Sequence, residues 1–276
     1  MIIDSHQHFW KFDPIRDDWI DDTMKIIQRD FLPPDLEPIL KRNNIDGCIA
    51  VQADQSEDES NFLLNLAEDN EFIKGVVGWV DLCDPNVDKS LAHFSQSSYF
   101  KGVRHILQAE KPKFMLQDNF LNGIDALSSF GLTYDILVFP HQLKNSIALV
   151  SKFPEQMFVL DHLAKPPIKS GELEPWKSDI LELAKNINVH CKLSGMVTEG
   201  NWGNWTKGNF RPYMDVIFDA FGTDRIMFGS DWPVCLLSGN YSKVLSIVKG
   251  YLEQFSTQEQ SQIMGANACR FYDLEQ

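Results

Sequence analysis

The sequence lacks the features that would attach it to a membrane or to nucleic acid. Its 276 residues contain no apolar run approaching the about 20 residues that a membrane-spanning helix needs. There is no run of lysine or arginine, and the formal net charge is −14. We therefore expect neither a bilayer nor a nucleic acid as partner. Asp4 and His6 interrupt the apolar start of the chain, so we expect no secretory leader and a cytoplasmic protein.

Cysteine is scarce and shows no pairing pattern. The five cysteines are odd in number, lie far apart and form no C-x-x-C motif. Cys48 and Cys191 lie in apolar runs that are typical of strands. This pattern argues against a disulfide framework and predicts buried, reduced thiols.

Short apolar runs alternate with amphipathic segments along the whole chain. The eight runs cover residues 1–5, 47–52, 75–82, 102–107, 132–138, 157–160, 189–193 and 225–228. They are rich in Val, Ile, Leu and Phe, as strands buried on both faces should be. Alternation of strand and helix predicts a parallel sheet, and eight such units in this length suit a closed (β/α)8 TIM barrel. We therefore expect one domain over residues 1–276.

An open, doubly wound sheet is the competing α/β fold. It would place a glycine-rich phosphate loop after its first strand. That position holds His6-Gln7-His8 instead, which favours the barrel. The segment 9–34, between the first strand and its helix, is longer than a barrel needs. Since long ordered loops on barrels are usually functional, we expect it to cover the site partly.

Polar residues follow almost every predicted strand, where barrel active sites lie. His6 and His8 should point to the same face, about 6.6 Å apart along the strand. Asp231 leaves the last strand, although its alternative role is to cap the next helix. Arg104 and Lys192 could contact a substrate or form ion pairs inside the barrel mouth. The remaining polar residues at these strand ends are Gln52, His105, Asp135, Asp161, His162 and Ser194.

Longer motifs carry a resemblance to a known family. They are Asp4-Ser5-His6-Gln7-His8-Phe9-Trp10, Arg29-Asp30-Phe31, Lys101-Gly102-Val103-Arg104-His105, Asp161-His162-Leu163-Ala164-Lys165-Pro166, Cys191-Lys192-Leu193-Ser194-Gly195-Met196-Val197-Thr198-Glu199 and Phe228-Gly229-Ser230-Asp231-Trp232-Pro233. Together they resemble the amidohydrolase superfamily. Within it they resemble the amidohydrolase 2 (amidohydrolase-related) family of sugar-lactone hydrolases, the group of L-fuconolactonases and L-rhamnonolactonases.

The resemblance implies a TIM barrel of the metal-dependent-hydrolase type. His6, His8, Asp231 and His162 would hold a divalent metal ion or the hydrolytic water, and zinc suits these ligand types. The same four residues would be catalytic, with Asp231 as the base. Binuclear relatives carry a carboxylated lysine where this chain has Arg104, so a single ion is expected. A mechanism without metal stays open, because Tyr134-Asp135 replaces a histidine that many mononuclear relatives use.

The expected reaction is ring opening of a small sugar-acid lactone, such as L-fuconolactone or L-rhamnonolactone. Arg104, Lys192 and Arg29 would contact substrate oxygens by resemblance. We expect the polar side chains of Gln52 and Asp135 to line the substrate pocket and Trp10 to form one of its walls. Two alternatives stay open, namely a metal-dependent decarboxylase and an inactive barrel that binds sugar acids. The sequence does not decide between a monomer and a homo-oligomer.

Overall fold

Eight parallel strands form the centre of the protein, and the computed structural model describes residues 1–274. The last two residues of the domain expected over 1–276 lie outside the described range. The strands hydrogen-bond in chain order, each to the next, which is the order of a barrel. They are β1 Ile3–Gln7, β2 Gly47–Val51, β3 Ile73–Gly78, β4 Phe100–His105, β5 Thr133–Ile136, β6 Phe158–Leu160, β7 Val189–Leu193 and β8 Ile226–Phe228. All eight predicted strands are confirmed.

The barrel closes between β1 and the segment that follows β8. The Asp231 amide donates to the His6 carbonyl at 2.8 Å, and the His8 amide donates to the Trp232 carbonyl at 2.7 Å. The carboxylate of Asp4, buried beside them, accepts from the Ser230 amide at 2.8 Å. These bonds satisfy backbone groups that would otherwise be an exposed sheet edge. They also set the position of Asp231 relative to the histidines of β1.

Helices surround the strands. They are α1 Pro33–Asn43, α2 Glu57–Asp69, α3 Val87–Phe94, α4 Asp118–Ser129, α5 Leu143–Val150, α6 Trp176–Leu183, α7 Lys207–Phe221, α8 Tyr241–Leu252, α9 Thr257–Ser261 and α10 Asn267–Phe271, with a π-helical turn at Gln262–Ala266 joining the last two. Short 3-10 turns lie at Asp22–Ile27, Leu107–Ala109, Phe114–Leu116, Pro140–Gln142 and Val234–Leu237. No helix within residues 1–274 is long and apolar enough to cross a membrane.

The helix α4 lies between β4 and β5 and carries a glycine at its centre. Its apolar stripe of Phe120, Ile124 and Leu127 is buried, but Gly123 interrupts the pattern at its centre. Glycine lowers helix propensity by about 1 kcal/mol relative to alanine. Here a Cβ at Gly123 would lie 2.1 Å from the carbonyl oxygen of Leu82. The glycine is therefore explained by close packing of α4 against the chain after β3.

The C-terminal segment packs into the barrel at the amino-terminal ends of the strands. Ile3, Val77 and Met227 point into the barrel and form one buried cluster with Phe271 and Tyr272. A barrel interior is a packed core, so this cluster closes the end of the barrel opposite the strand exits.

The segment 9–34 is held against the barrel by aromatic packing. Trp10 and Phe31 pair as an antiparallel bridge, and their rings meet edge to face with centroids 5.5 Å apart. Phe31 also packs against Trp232 beyond β8, with ring centroids 5.2 Å apart. Buried aromatic pairs of this kind contribute about 0.5–1.5 kcal/mol beyond area burial.

The cysteines are free thiols, as the sequence pattern predicts. Cys48, Cys191, Cys235 and Cys269 are buried, and Cys83 is half-buried.

Glu59 on α2 gives the fold a pH dependence that can be measured. Burial raises the pKa of this carboxyl from 4.5 to about 7. Because the folded state keeps the proton to higher pH than the unfolded chain, Glu59 lowers stability as pH rises from 4.5 towards 7. Relative to Glu59→Gln, we expect the wild-type free energy of unfolding to fall by roughly 2 kcal/mol between pH 5 and pH 8.

Urea denaturation of both proteins at several pH values measures this difference. The exposed Glu68→Gln on the same helix is the matched control and should track the wild type. A constant difference between wild type and Glu59→Gln over this pH range would contradict the prediction.

Candidate active site

Three histidines and one aspartate meet where the strands β1, β6 and β8 end. The Nε2 atoms of His6 and His8 are 3.2 Å apart. Asp231 Oδ1 lies 3.6 Å from His8 Nε2 and 3.8 Å from His162 Nε2. All four side chains are buried. The structure thus brings together the four residues that the sequence predicts as catalytic and metal-binding.

The second ring nitrogen of each histidine is engaged away from this cluster. His8 Nδ1 donates to the Val51 carbonyl at 2.7 Å, which leaves Nε2 as an acceptor. His6 Nδ1 lies 3.2 Å from Asp161 Oδ1, and His162 Nδ1 lies 2.8 Å from Ser194 Oγ. A histidine that binds metal usually donates its other ring N–H to a carboxylate or carbonyl, as His8 does here. His6 Nδ1 also lies 3.2 Å from the Lys192 ammonium, so it faces both a carboxylate and a cation.

Burial and neighbouring charges set the protonation states of the cluster. Burial lowers the pKa of His6 well below its usual value and that of His162 to about 4. Burial alone would raise the pKa of Asp231, but His162 and His8 bring it below its usual value. His6 and His162 are therefore neutral beside an ionised Asp231, and neutral imidazole and ionised carboxylate are the forms that bind metal.

The donor set fits a divalent metal ion. His6, His8 and Asp231 each offer one ligand atom, and these atoms lie within 4.8 Å of one another. Two nitrogens bound tetrahedrally at zinc distances would be about 3.3 Å apart, close to the spacing of the two Nε2 atoms. His6, Asp161 and His162 form a second such group, but there Asp161 is already paired with two cations, Arg104 at 3.0 Å and Lys192 at 3.1 Å.

Two site residues have a left-handed backbone, which is uncommon outside glycine. His162 has φ 53° and Asp231 has φ 57°. Strained conformations of this kind cost about 1–3 kcal/mol each and cluster at functional sites. Gly195 leaves room for the ring of His162, because a Cβ atom at residue 195 would lie 2.6 Å from His162 Nδ1.

A buried network of charges lies beneath the histidines. Lys192 pairs with Asp135 and, at 3.1 Å, with Asp161. Arg104 Nη1 reaches Asp161 Oδ2 at 3.0 Å, and Tyr272 donates to Asp135 at 3.1 Å. Burial would raise the pKa of Asp161, but Lys192, His6 and Arg104 hold it well below its usual value. Paired in this way, the charges fix the orientation of His6 from below.

A cavity of about 560 Å³ lies above the histidines. Its volume is in the range of small-molecule sites. Its lining includes His8, Trp10, Arg16, Asp18, Trp19, Asp54, Gln55, Arg104, His162, Lys165, Thr198, Glu199, Trp202 and Asp231.

The six predicted substrate contacts fall into two groups. Trp10 and Arg104 line the cavity. Lys192, Asp135 and Gln52 are fully buried below it, where Gln52 Oε1 accepts from Arg104 at 3.0 Å. Arg29 is half-exposed, pairs with Asp35 at 3.2 Å and covers the ring of Phe31. The structure thus places these last four away from the cavity lining.

Sequence reasoning missed several lining residues. Arg16, Asp18 and Trp19 belong to the segment 9–34, and only its length pointed to a role. Lys165 and Glu199 stand within motifs that carry the family resemblance, but no role was attached to them. Lys165 lies five residues after the end of β6 and Glu199 six residues after the end of β7, so the strand periodicity gave no signal for either.

The chain belongs to the amidohydrolase family, whose model, described as "Amidohydrolase", matches residues 3–274. Two curated relatives are L-fucono-1,5-lactonases. The one from Burkholderia multivorans is 38% identical and the alignment covers 99% of this chain and 96% of the relative. The one from Burkholderia ambifaria is 36% identical over the same shares.

A solved structure shows the same architecture. It is an amidohydrolase from Burkholderia multivorans with bound zinc, 38% identical in sequence, with a TM-score of 0.96 and full coverage of both chains. Family membership and fold agree with the barrel seen here, and the His/Asp group is in keeping with a metal site.

The role of Gly195 can be tested by adding a single methyl group. We expect Gly195→Ala to push the ring of His162, whose Nε2 lies 3.8 Å from Asp231 Oδ1, out of place. Turnover of L-fucono-1,5-lactone, the lactone in the names of the two relatives, should then fall by about 10²–10³-fold in kcat, the range found when one donor to a developing oxyanion is lost. Turnover is measured by proton release. The matched control is Gly171→Ala, which has a similar φ of 77° but nothing within 4 Å of its Cβ.

Both substitutions carry similar backbone strain, so both should lose about 1 kcal/mol or more of stability. Only Gly195→Ala should lose turnover. Equal turnover by the two variants would mean that His162 does not depend on this contact.

Proposed function

We propose that the protein hydrolyses a sugar-acid lactone, with L-fucono-1,5-lactone as the first candidate and L-rhamnonolactone as the second. Sequence similarity and the geometry of the site together support this proposal. The chain is 36–38% identical over 99% of its length to two L-fucono-1,5-lactonases, and three histidines surround an ionised Asp231 below a cavity that fits a monosaccharide.

We propose further that His6, His8 and Asp231 hold one zinc ion. Three protein ligands with an open fourth position are typical of catalytic zinc sites. The donor types, the spacing of the Nε2 atoms and the zinc in the Burkholderia multivorans structure support this assignment. When bound, zinc lowers the pKa of a water molecule and polarises a carbonyl group.

Asp231 is the base in the proposed mechanism. Its ionised carboxylate accepts a proton from the attacking water while the new C–O bond forms at the lactone carbonyl. His162, with Nδ1 accepting from the Ser194 hydroxyl, presents its Nε2–H to the oxyanion. The ring C–O bond then breaks, and Asp231 returns the proton to the departing alkoxide. The products are the open-chain hydroxy acid and a regenerated carboxylate.

Decarboxylation is a weaker candidate for this site. It would need Arg104 to clamp a substrate carboxylate. The terminal nitrogens of Arg104 are instead bonded to Asp161 and to both the carbonyl and the side chain of Gln52. An inactive sugar-acid-binding barrel is the remaining alternative, and turnover of any lactone would exclude it.

The base is tested by Asp231→Asn. A positioned general base contributes about 10²–10⁴-fold to the rate, so we expect kcat/KM for L-fucono-1,5-lactone to fall by at least about 10²-fold. The assay follows proton release, corrected for spontaneous hydrolysis. The exposed Asp58→Asn on α2 is the control and should retain full activity. Near-normal turnover by Asp231→Asn would refute the mechanism.

The metal is tested by its removal. Dialysis against a chelator should abolish turnover and lower the melting temperature, and one equivalent of zinc per chain should restore both. Elemental analysis of the purified protein gives the identity and number of ions. Full activity in a metal-free sample would instead support the mechanism in which Asp231 acts with the imidazoles alone.

A further inference from the structure

Four consecutive residues after β6 form a left-handed turn. His162, Leu163, Ala164 and Lys165 have φ values of 53°, 56°, 56° and 50°, and none is glycine. A left-handed backbone costs an L-residue roughly 1–2 kcal/mol, so a run of four persists only where the surroundings impose it.

Specific contacts impose this turn. The Lys165 amide donates to the His162 carbonyl at 2.7 Å, which closes the turn. The buried Trp176 of α6 donates from Nε1 to the Leu163 carbonyl at 2.7 Å. These two hydrogen bonds fix the backbone of the turn against the barrel. The direction of its side chains at the site is therefore fixed as well.

The effect is to aim two side chains into one cavity. Residues three apart in a turn closed by such a bond lie on the same side of it, as they do in a 3-10 helix. His162 and Lys165 both line the cavity. Within residues 1–274, Lys165 has no ion-pair partner within 4.0 Å, and its Nζ lies 5.3 Å from the centre of the Phe139 ring.

Glu199 lines the same cavity as Lys165. Burial raises the pKa of the Glu199 carboxyl, while the charge of Lys165 acts to lower it. In the described part of the chain, the Glu199 carboxylate makes no hydrogen bond or ion pair, so it too is available to a ligand.

We propose that Lys165 and Glu199 bind neighbouring hydroxyl groups of the substrate, an assignment that rests on the proposed lactone hydrolysis. A hydroxyl both donates and accepts, an ammonium group only donates, and a carboxylate only accepts. The two together satisfy a pair of adjacent hydroxyls with charge-assisted hydrogen bonds. The left-handed turn fixes Lys165 relative to His162, so a sugar held by its hydroxyls presents its carbonyl to the reacting cluster.

The test compares a hydroxylated lactone with a bare one. Lys165→Met and Glu199→Gln are assayed on L-fucono-1,5-lactone and on δ-valerolactone, which has the same ring size and no hydroxyls. We expect each variant to lose about 10–100-fold in kcat/KM on the sugar lactone, mainly through KM, as for loss of a hydrogen bond to a charged group. On δ-valerolactone we expect less than about a two-fold change for Glu199→Gln, because no hydroxyl contact exists to be lost. Lys165→Met should lose clearly less on δ-valerolactone than on the sugar lactone, because only its effect on the charge of Asp231 remains.

The control is Lys152→Met, an exposed lysine beyond α5, which should behave as wild type on both lactones. Thermal melts and zinc content of all variants show whether the fold and the metal site are intact. Equal losses on both lactones, or none on the sugar lactone, would overturn the assignment of Lys165 and Glu199 while leaving lactone hydrolysis in place.

Calorimetric titration with L-fuconate tests the same contacts without turnover. Lys165→Met should weaken binding by a similar factor. If the wild type hydrolyses neither lactone, the proposed function fails. In that case an L-fuconate affinity lost in Lys165→Met still supports the hydroxyl contact, and an unchanged affinity, or no binding by the wild type, overturns it.

Discussion

The hydrogen bonds that close the barrel between β1 and the end of β8 determine the whole site. The amide of Asp231 is bonded to the carbonyl of His6, and Asp4 holds the neighbouring amide of Ser230, 226 residues away in the chain. A strand pairing shifted by one residue would turn the side chains to the other face. Because this register is fixed, His6, His8 and Asp231 face one point, where either an ion or a water molecule can be bound.

Much of the fold and the reacting cluster could be predicted from the sequence. Buried parallel strands give continuous apolar runs, and these located all eight strands. Side chains alternate along a strand, so His6 and His8 could be expected on one face and Arg104 on the face opposite to His105. The structure agrees, since Arg104 lines the cavity while His105 stacks on Phe114.

The parts that escaped prediction depend on long-range packing. The helix propensity of glycine argues against a helix at Gly123. The glycine is explained only by the close approach of the Leu82 carbonyl to α4. No sequence pattern shows that Lys192, Asp135 and Gln52 support the site from below, because a charged residue at a strand end could equally point into the cavity. The left-handed turn of residues 162–165 leaves no glycine signal, so the position of Lys165 could not be inferred.

The contribution of Tyr272 has a consequence for how the site is held together. Its hydroxyl contacts Asp135, whose partner Lys192 lies beneath His6, and its ring fills the far end of the barrel. Tyr272 is 137 residues beyond Asp135 in the sequence, so the support beneath His6 is complete only when the C-terminal segment has docked. The site therefore depends on both ends of the barrel, although only one of them opens to the cavity.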